Sequence, residues 1–489
     1  VQSHLRSGIF EPSVRLNIAE SKEYGMSFSL NSIRMGGKDV LPLIEGGKGV
    51  AISAGASSGP WAQAGGIGTV SAVIADQYDA HGNVVVHEYG GRTRRDRHDE
   101  MVEYSVKGTI DQVRKAWELS KGEGHININM LWELGGAQRI LHGVLEKTKG
   151  MIHGVTCGAG MPFKLGELAA KYGVHYYPIV SSGRAFNLLW KRAYKNFSDL
   201  LGGVVYEDPW LAGGHNGLSN AEDPNKPGDP YPRVVELRAI MRKLGLDNVP
   251  IIMAGGVWNL KEWKDWIDNK ELGPIVFQFG TRPLLTKESP ISDKWKKKLV
   301  ELRAGDILLQ NFSPTGFFSS ALKNSFIGEL VGRSNRQVGF SSSQTEEFNA
   351  EIMVDRKKYF VRGEDVSKVQ AWTAEGYEKA LKTPDNTLIF ATSDKCAEIR
   401  KDQADCVGCL SQCRFSSWAD NEKNSTGRLA DPRSFCIQKT LDDVAHNGSV
   451  DDNLVFAGHN AFRFGNDPFY SNGFIPSVKQ LVDRIVSGD

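Results

Sequence analysis

The chain has no apolar run approaching the roughly 18 residues of a membrane-crossing helix. It also lacks a surplus of either charge: 59 basic residues face 58 acidic ones, a net of +1 over 489 residues. That balance removes the electrostatic footprint of a nucleic-acid or membrane-surface binder. No internal repeat and no low-complexity tract appears, which excludes a solenoid or a fibrous array. Cysteine is scarce. Six in this length cannot make a disulfide scaffold. Three of them nonetheless crowd at Cys406, Cys409 and Cys413, which points to reduced thiols and a metal centre in a reducing compartment. The opening Val1-Gln2-Ser3-His4-Leu5 has no signal-peptide pattern, and a cytoplasmic location is the expectation.

What the chain does have is glycine in three short motifs, each directly after an apolar run. They are Ala212-Gly213-Gly214-His215-Asn216-Gly217, Ala254-Gly255-Gly256-Val257 and Gln278-Phe279-Gly280-Thr281-Arg282. The preceding runs read as short buried parallel strands. Strands are expected at 49–54, 66–73, 125–130, 152–157, 174–180, 202–208, 249–254 and 274–279. Helical patterns lie between most of them: Ile140, Val144 and Leu145 share one face of 135–149, and Val235, Ile240 and Leu244 one face of 234–244. Eight strands with helical connections fit an α/β fold of the (β/α)8 TIM-barrel type in about 250 residues; an open doubly wound sheet is the alternative.

On this reading residues 1–45 form an N-terminal arm or hairpin, 46–305 the barrel, and 306–489 a C-terminal extension. A hairpin insertion is expected at about 76–108, ending in the basic cluster Arg92, Arg94, Arg95 and Arg97. That cluster reads as a solvated face or as a docking site for an acidic partner or a nucleotide phosphate. The Pro- and Gly-rich stretch 218–230 reads as an irregular loop over the site. The extension should hold a helix around 321–331 and another at 478–486.

A phosphate needs several backbone N–H groups aimed at one point, and glycine makes this feasible. Gly255-Gly256 and Gly280-Thr281 follow strands seven and eight, the usual phosphate corner of such a barrel. Small residues from Ser53 to Gly59 leave room for a flat ring system. Asn127 and Asn129 alternate on one face of strand three, and Asn129 lies nearer the strand's end. Ser181-Ser182-Gly183 ends strand five. The candidate cofactor contacts on this reading are Ala54, Gly55, Asn129, Ser181, Gly255, Gly256, Gly280 and Thr281, with Gly213 and Gly214 of the first motif beside them.

The chain resembles the nitronate monooxygenase family of FMN-dependent barrels, which also contains NAD(P)H:quinone reductases and flavin-dependent enoyl-acyl-carrier-protein reductases. The segments that carry the resemblance are Ala62-to-Gly68, Ile128-Asn129-Met130, Cys157-to-Gly160, Val180-Ser181-Ser182, the three glycine motifs, and Ser313-Pro314-Thr315-Gly316 followed by Ala321-to-Asn324. The resemblance implies FMN as cofactor and His215 as catalytic base or proton donor. It implies Gly255, Gly256, Gly280 and Thr281 as phosphate ligands, with Gln278 near the flavin. Ala54-Gly55-Ala56 departs from the family's first loop, and the arm, hairpin and cysteine-bearing tail have no counterpart in its short members.

Cys406-Val407-Gly408-Cys409-Leu410-Ser411-Gln412-Cys413 is a C-x2-C-x3-C run with Cys436, or alternatively Cys396, as fourth thiol. Such spacing suits a [4Fe–4S] or [3Fe–4S] cluster; zinc and unligated thiols are the rivals. Cys157 reads as a small core residue, and His459 as a loop residue. The expected function is oxidation of a nitronate or nitroalkane-like small molecule, with His215 transferring the proton. The alternative is a reductase of an enoyl thioester or quinone, in which a cluster relays electrons from a ferredoxin, NAD(P)H or quinone partner. Outside enzymes, a flavin-binding electron relay remains.

Overall fold

The computed structural model describes residues 30–489; the expected arm falls on 1–45 and lies largely outside them. A hairpin of β1 (Ile33–Met35) and β2 (Lys38–Val40) precedes β3 (Leu43–Glu45), α1 (Gly55–Gln63) and β4 (Ile67–Ser71). A short hairpin, β5 (Gln77–Tyr78) with β6 (Val84–Val85), leads to the long helix α2 (Arg94–Leu119). Then come β7 (His125–Leu131), α3 (Ala137–Lys147), β8 (Gly154–Gly158), α4 (Leu165–Tyr172), β9 (His175–Val180), α5 (Gly183–Arg192), β10 (Val204–Glu207), β11 (Gly214–His215), α6 (Pro230–Lys243), β12 (Ile251–Ala254) and β13 (Ile275–Phe279). Strands β3, β4, β7, β8, β9, β10, β12 and β13 close into a barrel of parallel neighbours, β13 pairing back onto β3 through Phe277↔Leu43. The TIM-barrel expectation holds.

Its first strand does not lie at 49–54. The strand is Leu43–Glu45, fully buried between β13 and β4. Gly46, Gly47 and Gly49 end it, and the small residues expected to be its continuation form a turn and α1 instead. The inserted hairpin is also shorter than expected. From Arg94 onward the chain is barrel helix, started by a capping box in which Thr93 and Asp96 satisfy each other's backbone N–H groups. On α6 the buried face is Val234, Leu237, Arg238 and Met241, not the set expected. The Arg238 guanidinium is buried there and donates to the carbonyls of Val249 and Pro274, at 2.9 and 3.0 Å, just ahead of β12 and β13.

Helix α7 (Asp293–Glu301) ends the barrel segment, and the extension opens with a hairpin of β14 (Ile307–Gln310) and β15 (Ser319–Leu322), then α8 (Ser325–Asn335). The helix expected at 321–331 thus begins later, after a strand. A small sheet of β16 (Gln337–Gly339), the hairpin β17 (Ala350–Val354) and β18 (Lys357–Val361), α9 (Val366–Ala374), β19 (Lys379–Lys382) and β20 (Thr387–Ala391) share a core around Phe340, Val361 and Phe390. Helix α10 (Ser393–Ala404) leads into the cysteine segment, followed by α11 (Ile437–Ala445) and α12 (Val478–Val486). Val478, Leu481 and Ile485 of α12, with Leu410, Trp418 and Leu454, join the barrel's own hydrophobic core. Among the described residues no helix is long and apolar enough to cross a membrane.

The basic cluster is neither a solvated face nor an open docking site. Arg94 donates to the carbonyls of Gln403 and Ser416, Arg97 to those of Ala404 and Cys406, and Arg95 pairs with Asp420 at 2.7 Å. Only Arg92 of the four is exposed. The first turn of α2 therefore clamps the cysteine segment onto the barrel.

Candidate active site

The C-terminal ends of the barrel strands open into a cavity of about 260 Å³, just below the roughly 300 Å³ at which the usual range for small-molecule sites begins. Such ends are where barrel enzymes place their chemistry. Gly46–Val50 after β3, Asn129 of β7, Glu207 and Leu211–His215 after β10, Gly255 and Gly256 after β12, and Gln278, Gly280 and Thr281 of β13 and its loop form one part of the wall. The extension forms the rest, with Cys409, Leu410, Ile437, Phe456, Gly458 and Asn460.

At one corner Gly255 and Gly256 both take positive φ, 90° and 78°, a conformation open to glycine that turns successive N–H groups into a concave cradle. A Cβ on Gly280 would meet nothing within 4 Å, so this residue borders open space. Thr281 Oγ1 accepts from Gly458 N at 2.9 Å, and Asn460 Nδ2 donates to Gly256 O at 2.6 Å. The Ala457-Gly458-His459-Asn460 stretch, in which His459 reads from the sequence as a loop residue, thus closes the corner from behind. His459 Nε2 itself lies 3.3 Å from Ser320 Oγ.

His215 is held by the extension too. Its short strand β11 pairs antiparallel with β15, His215 opposite Ser319. The ring's Nε2 lies 2.6 Å from Ser313 Oγ, which lies 2.8 Å from Thr315 Oγ1. Phe456 packs edge-on, with ring centroids 5.3 Å apart. Burial pushes the imidazole down to about 4, so it is neutral at neutral pH and offers a lone pair. Glu207 moves the other way: burial, then the adjacent Asp208, raise it to about 8. Lys48 Nζ is paired with Glu45 at 3.1 Å and donates to Gly46 O at 2.8 Å.

Of the residues expected at the cofactor, Asn129, Gly213, Gly214, Gly255, Gly256, Gln278, Gly280 and Thr281 line this cavity together with His215. Ala54, Gly55 and Ser181 do not. Ala54 caps α1 and is buried. Gly55 is packed on α2, where a Cβ would lie 2.2 Å from Gln112 O. Ser181 Oγ donates to Gly217 O. The misplaced first strand explains the first two. The 218–230 loop also stays out of the wall; Trp210 Nε1 donates to Asp223 O, and Arg233 holds Glu222. Missed from the sequence were Gly46–Val50, Glu207 and the tail residues. The first had a readable signal, since Leu43-Ile44-Glu45-Gly46-Gly47 repeats the apolar-run-then-glycine pattern of the three motifs.

The structure gathers the four expected thiols around one point without setting them in ligating geometry. Cys406, Cys409 and Cys413 are buried and Cys436 half-buried, and none of the four is in a disulfide. Burial raises Cys409 far above the usual thiol range, with Cys436, Cys413 and Cys406 adding to the effect. Among the described residues no group of three or more His, Cys, Asp or Glu side chains is placed to hold a metal ion. Cys396 sits on α10 and Cys157 in the barrel core on β8.

The family model described as nitronate monooxygenase matches residues 137–389, more than half of the chain. The chain belongs to the nitronate monooxygenase family. It is accordingly a flavin-dependent oxidoreductase, in a family whose enzymes use FMN. The match takes in the His215, Gly255-Gly256 and Gly280-Thr281 segments and stops short of the Cys406–Cys436 region. Among solved structures, the enoyl reductase domain of MlnA from the macrolactin biosynthesis cluster of Bacillus amyloliquefaciens is similar in fold, with a TM-score of 0.52 and 11% identity, over 91% of this chain and 94% of that one. FabK from Thermotoga maritima matches at a TM-score of 0.46 and 15% identity, over 91% and 92% of the two chains. Nitroalkane oxidase from Streptomyces ansochromogenes matches at 0.42 and 16%, over 59% and 79%. No curated protein matches the chain.

Proposed function

We propose that the chain is an FMN-dependent oxidoreductase that oxidises a nitronate or nitroalkane-like small molecule in this cavity, with His215 as the proton acceptor. The supporting observation is the placing of a neutral, hydroxyl-tethered imidazole in the wall of the cavity that also holds the glycine corner. The corner fits a phosphate: Gly255 and Gly256 turn their backbone through positive φ, Gly280 borders open space and Thr281 adds a hydroxyl. Asn129 and Gln278 supply polar contacts for the edge of the ring system. When bound, the flavin supplies the electron-accepting chemistry. The protein's share is proton handling. In the tautomer whose Nε2–H donates to Ser313 Oγ, Nδ1 is left to accept the acidic α-proton of a nitroalkane. Anaerobic mixing of the holoprotein with ethyl nitronate, and separately with NADH or NADPH, tests the reading. Flavin bleaching by the nitronate supports it; bleaching by the nicotinamide alone overturns it.

A second reading is a reductase drawing on a ferredoxin, NAD(P)H or quinone partner, in which Cys406, Cys409, Cys413 and Cys436 would have to close up from their present arrangement to hold an electron-carrying cluster. Cys409 and Leu410 belong to the cavity wall, and three further thiols adjoin them. Ser416 Oγ and Gly408 N both approach Cys406 Sγ, at 3.1 and 3.4 Å, and hydrogen bonds to sulfur are among the groups that tune clusters. Iron and acid-labile sulfide in protein purified without oxygen, compared with Cys409→Ser, decide it; absence of both elements removes the cluster.

A further inference from the structure

Glu207 ends β10 and sits across the ladder from Ala254, one residue before the glycine corner. Its side chain lines the cavity that His215 lines. The next residue, Asp208, is tied down, its Oδ1 accepting the N–H groups of Trp210 and Leu211 at 2.9 and 2.8 Å. Glu207 has no such donors; among the described residues no hydrogen bond lowers its pKa.

Among the described residues no free cation compensates it either. Asp208 is another carboxyl, and His215 is neutral. Lys48 is committed to Glu45 and Gly46 O. Arg233 is taken by Glu222 and by Ser181 O. Cys409, the remaining ionisable group of the wall, keeps its proton through burial. An uncompensated carboxylate in such a place is costly, so the carboxyl holds its proton at neutral pH. A neutral carboxylic acid has what a carboxylate lacks, an O–H donor.

We propose that Glu207 is the neutral donor that hydrogen-bonds the oxyanion of the substrate, a nitronate or another small planar oxyanion, beside the flavin. This rests on the flavin-oxidase reading above and adds to it the group that recognises the anion. Two titratable groups in one cavity, displaced in opposite directions, divide the work between them. His215 takes the α-proton where a neutral nitroalkane binds, and Glu207 donates a hydrogen bond to the nitronate oxygen without giving its own proton up. Once ionised, the same carboxyl would repel an anionic substrate.

Nitrite is the probe, titrated into the flavin-loaded protein between about pH 6 and 10, with the visible flavin spectrum reporting binding. For the unaltered protein the Kd is expected to stay flat up to about 8 and then to rise about tenfold per pH unit, as one required proton is lost. Glu207→Gln keeps a donor and cannot ionise. It should bind nitrite within about threefold of the unaltered protein at pH 7 and lose the alkaline rise, while Glu207→Ala should bind about tenfold more weakly. Flavin content, measured in each variant, shows that the site is intact. An alkaline rise that survives in Glu207→Gln overturns the proposal, as does a nitrite titration that leaves the flavin-loaded protein unchanged. Failure of the oxidase reading shows separately, as a nitronate that does not bleach the flavin.

Discussion

His215 Nε2 and Ser313 Oγ meet at 2.6 Å across 98 residues of sequence. The contact joins the loop after the sixth barrel strand to the first hairpin of the extension, so the extension completes the site. Ser313 is fully buried and orients the imidazole through a hydroxyl that Thr315 positions in turn. Ser313→Ala should leave the ring in place with its rotation unpinned. The rate of flavin bleaching at saturating nitroethane, the substrate form whose α-proton the proposed base accepts, is expected to fall about tenfold, in line with the cost of losing a group that orients the proposed base. Flavin content should be unchanged and Ser313→Thr should recover most of the rate. Equal rates in Ser313→Ala and the unaltered protein would show that the tether is idle.

A second long-range pair makes stability depend on pH. His446, at the end of α11, places Nε2 3.0 Å from Asp76 Oδ1, in the loop after β4, and Nδ1 3.4 Å from Asp442 Oδ1. Hydrogen bonds to Asp442 and Asp76 raise it to about 10, so it is an imidazolium at neutral pH. The folded state binds this proton more tightly than the unfolded chain, whose histidine titrates near about 6.5. The contribution is therefore fully present below about 6.5 and is lost as pH rises through about 10. Urea midpoints should fall across that window, and His446→Gln should flatten the fall while lowering the midpoint at pH 6. A slope unchanged by the substitution would assign it to other groups.

The clamp on the cysteine segment is testable by thiol access. Arg95 stacks over the Trp418 ring at 5.0 Å and pairs with Asp420. Both ends of the ion pair are partly exposed, so its own share is small, and the stacking contributes about 1 kcal/mol. Arg95→Ala should let the segment open locally more often without unfolding the barrel. Labelling of Cys406 and Cys413 by a thiol reagent is expected to accelerate about fivefold, the factor that 1 kcal/mol of local stability represents. Unchanged labelling would mean that Arg94 and Arg97 suffice.

Much of this site was readable because its chemistry sits on repeated local grammar. An apolar run followed by glycine marked β10, β12 and β13 with their loops, and the same rule applied to Leu43–Gly47 would have found the first strand and its loop. The apolar stretch 49–54 competed with it, and only closure of the barrel, which needs a partner for both Phe277 and Ile67, decides between them. Glu207 was illegible for another reason. A glutamate at a strand end is unremarkable until the surrounding cavity shows that nothing neutralises it. The role of Arg94, Arg95 and Arg97 was hidden because their partners lie more than 300 residues away. Gly458 and Asn460 reach the corner from the tail through contacts that no local pattern announces.

Two glycines of the cavity separate cofactor binding from folding. A Cβ on Gly280 meets nothing within 4 Å in the protein, which leaves space for a small side chain, and the residue does not take positive φ. Gly280→Val should therefore leave the denaturation midpoint within the range of ordinary surface changes, about 0.5 kcal/mol. The same side chain would fill the space where the proposed phosphate sits, so FMN affinity, measured by fluorescence quenching on titration into the apoprotein, should drop at least about a hundredfold, an estimate of the cost of a displaced phosphate. Gly213 offers the contrast. A Cβ there would come within 2.6 Å of Gly458 N, backbone against backbone. Gly213→Ala has to push the tail segment off the corner and should destabilise the fold by about 1–3 kcal/mol. If Gly280→Val binds FMN as tightly as the unaltered chain, the phosphate does not lie at this corner, and the assignment of Gly255, Gly256 and Thr281 goes with it.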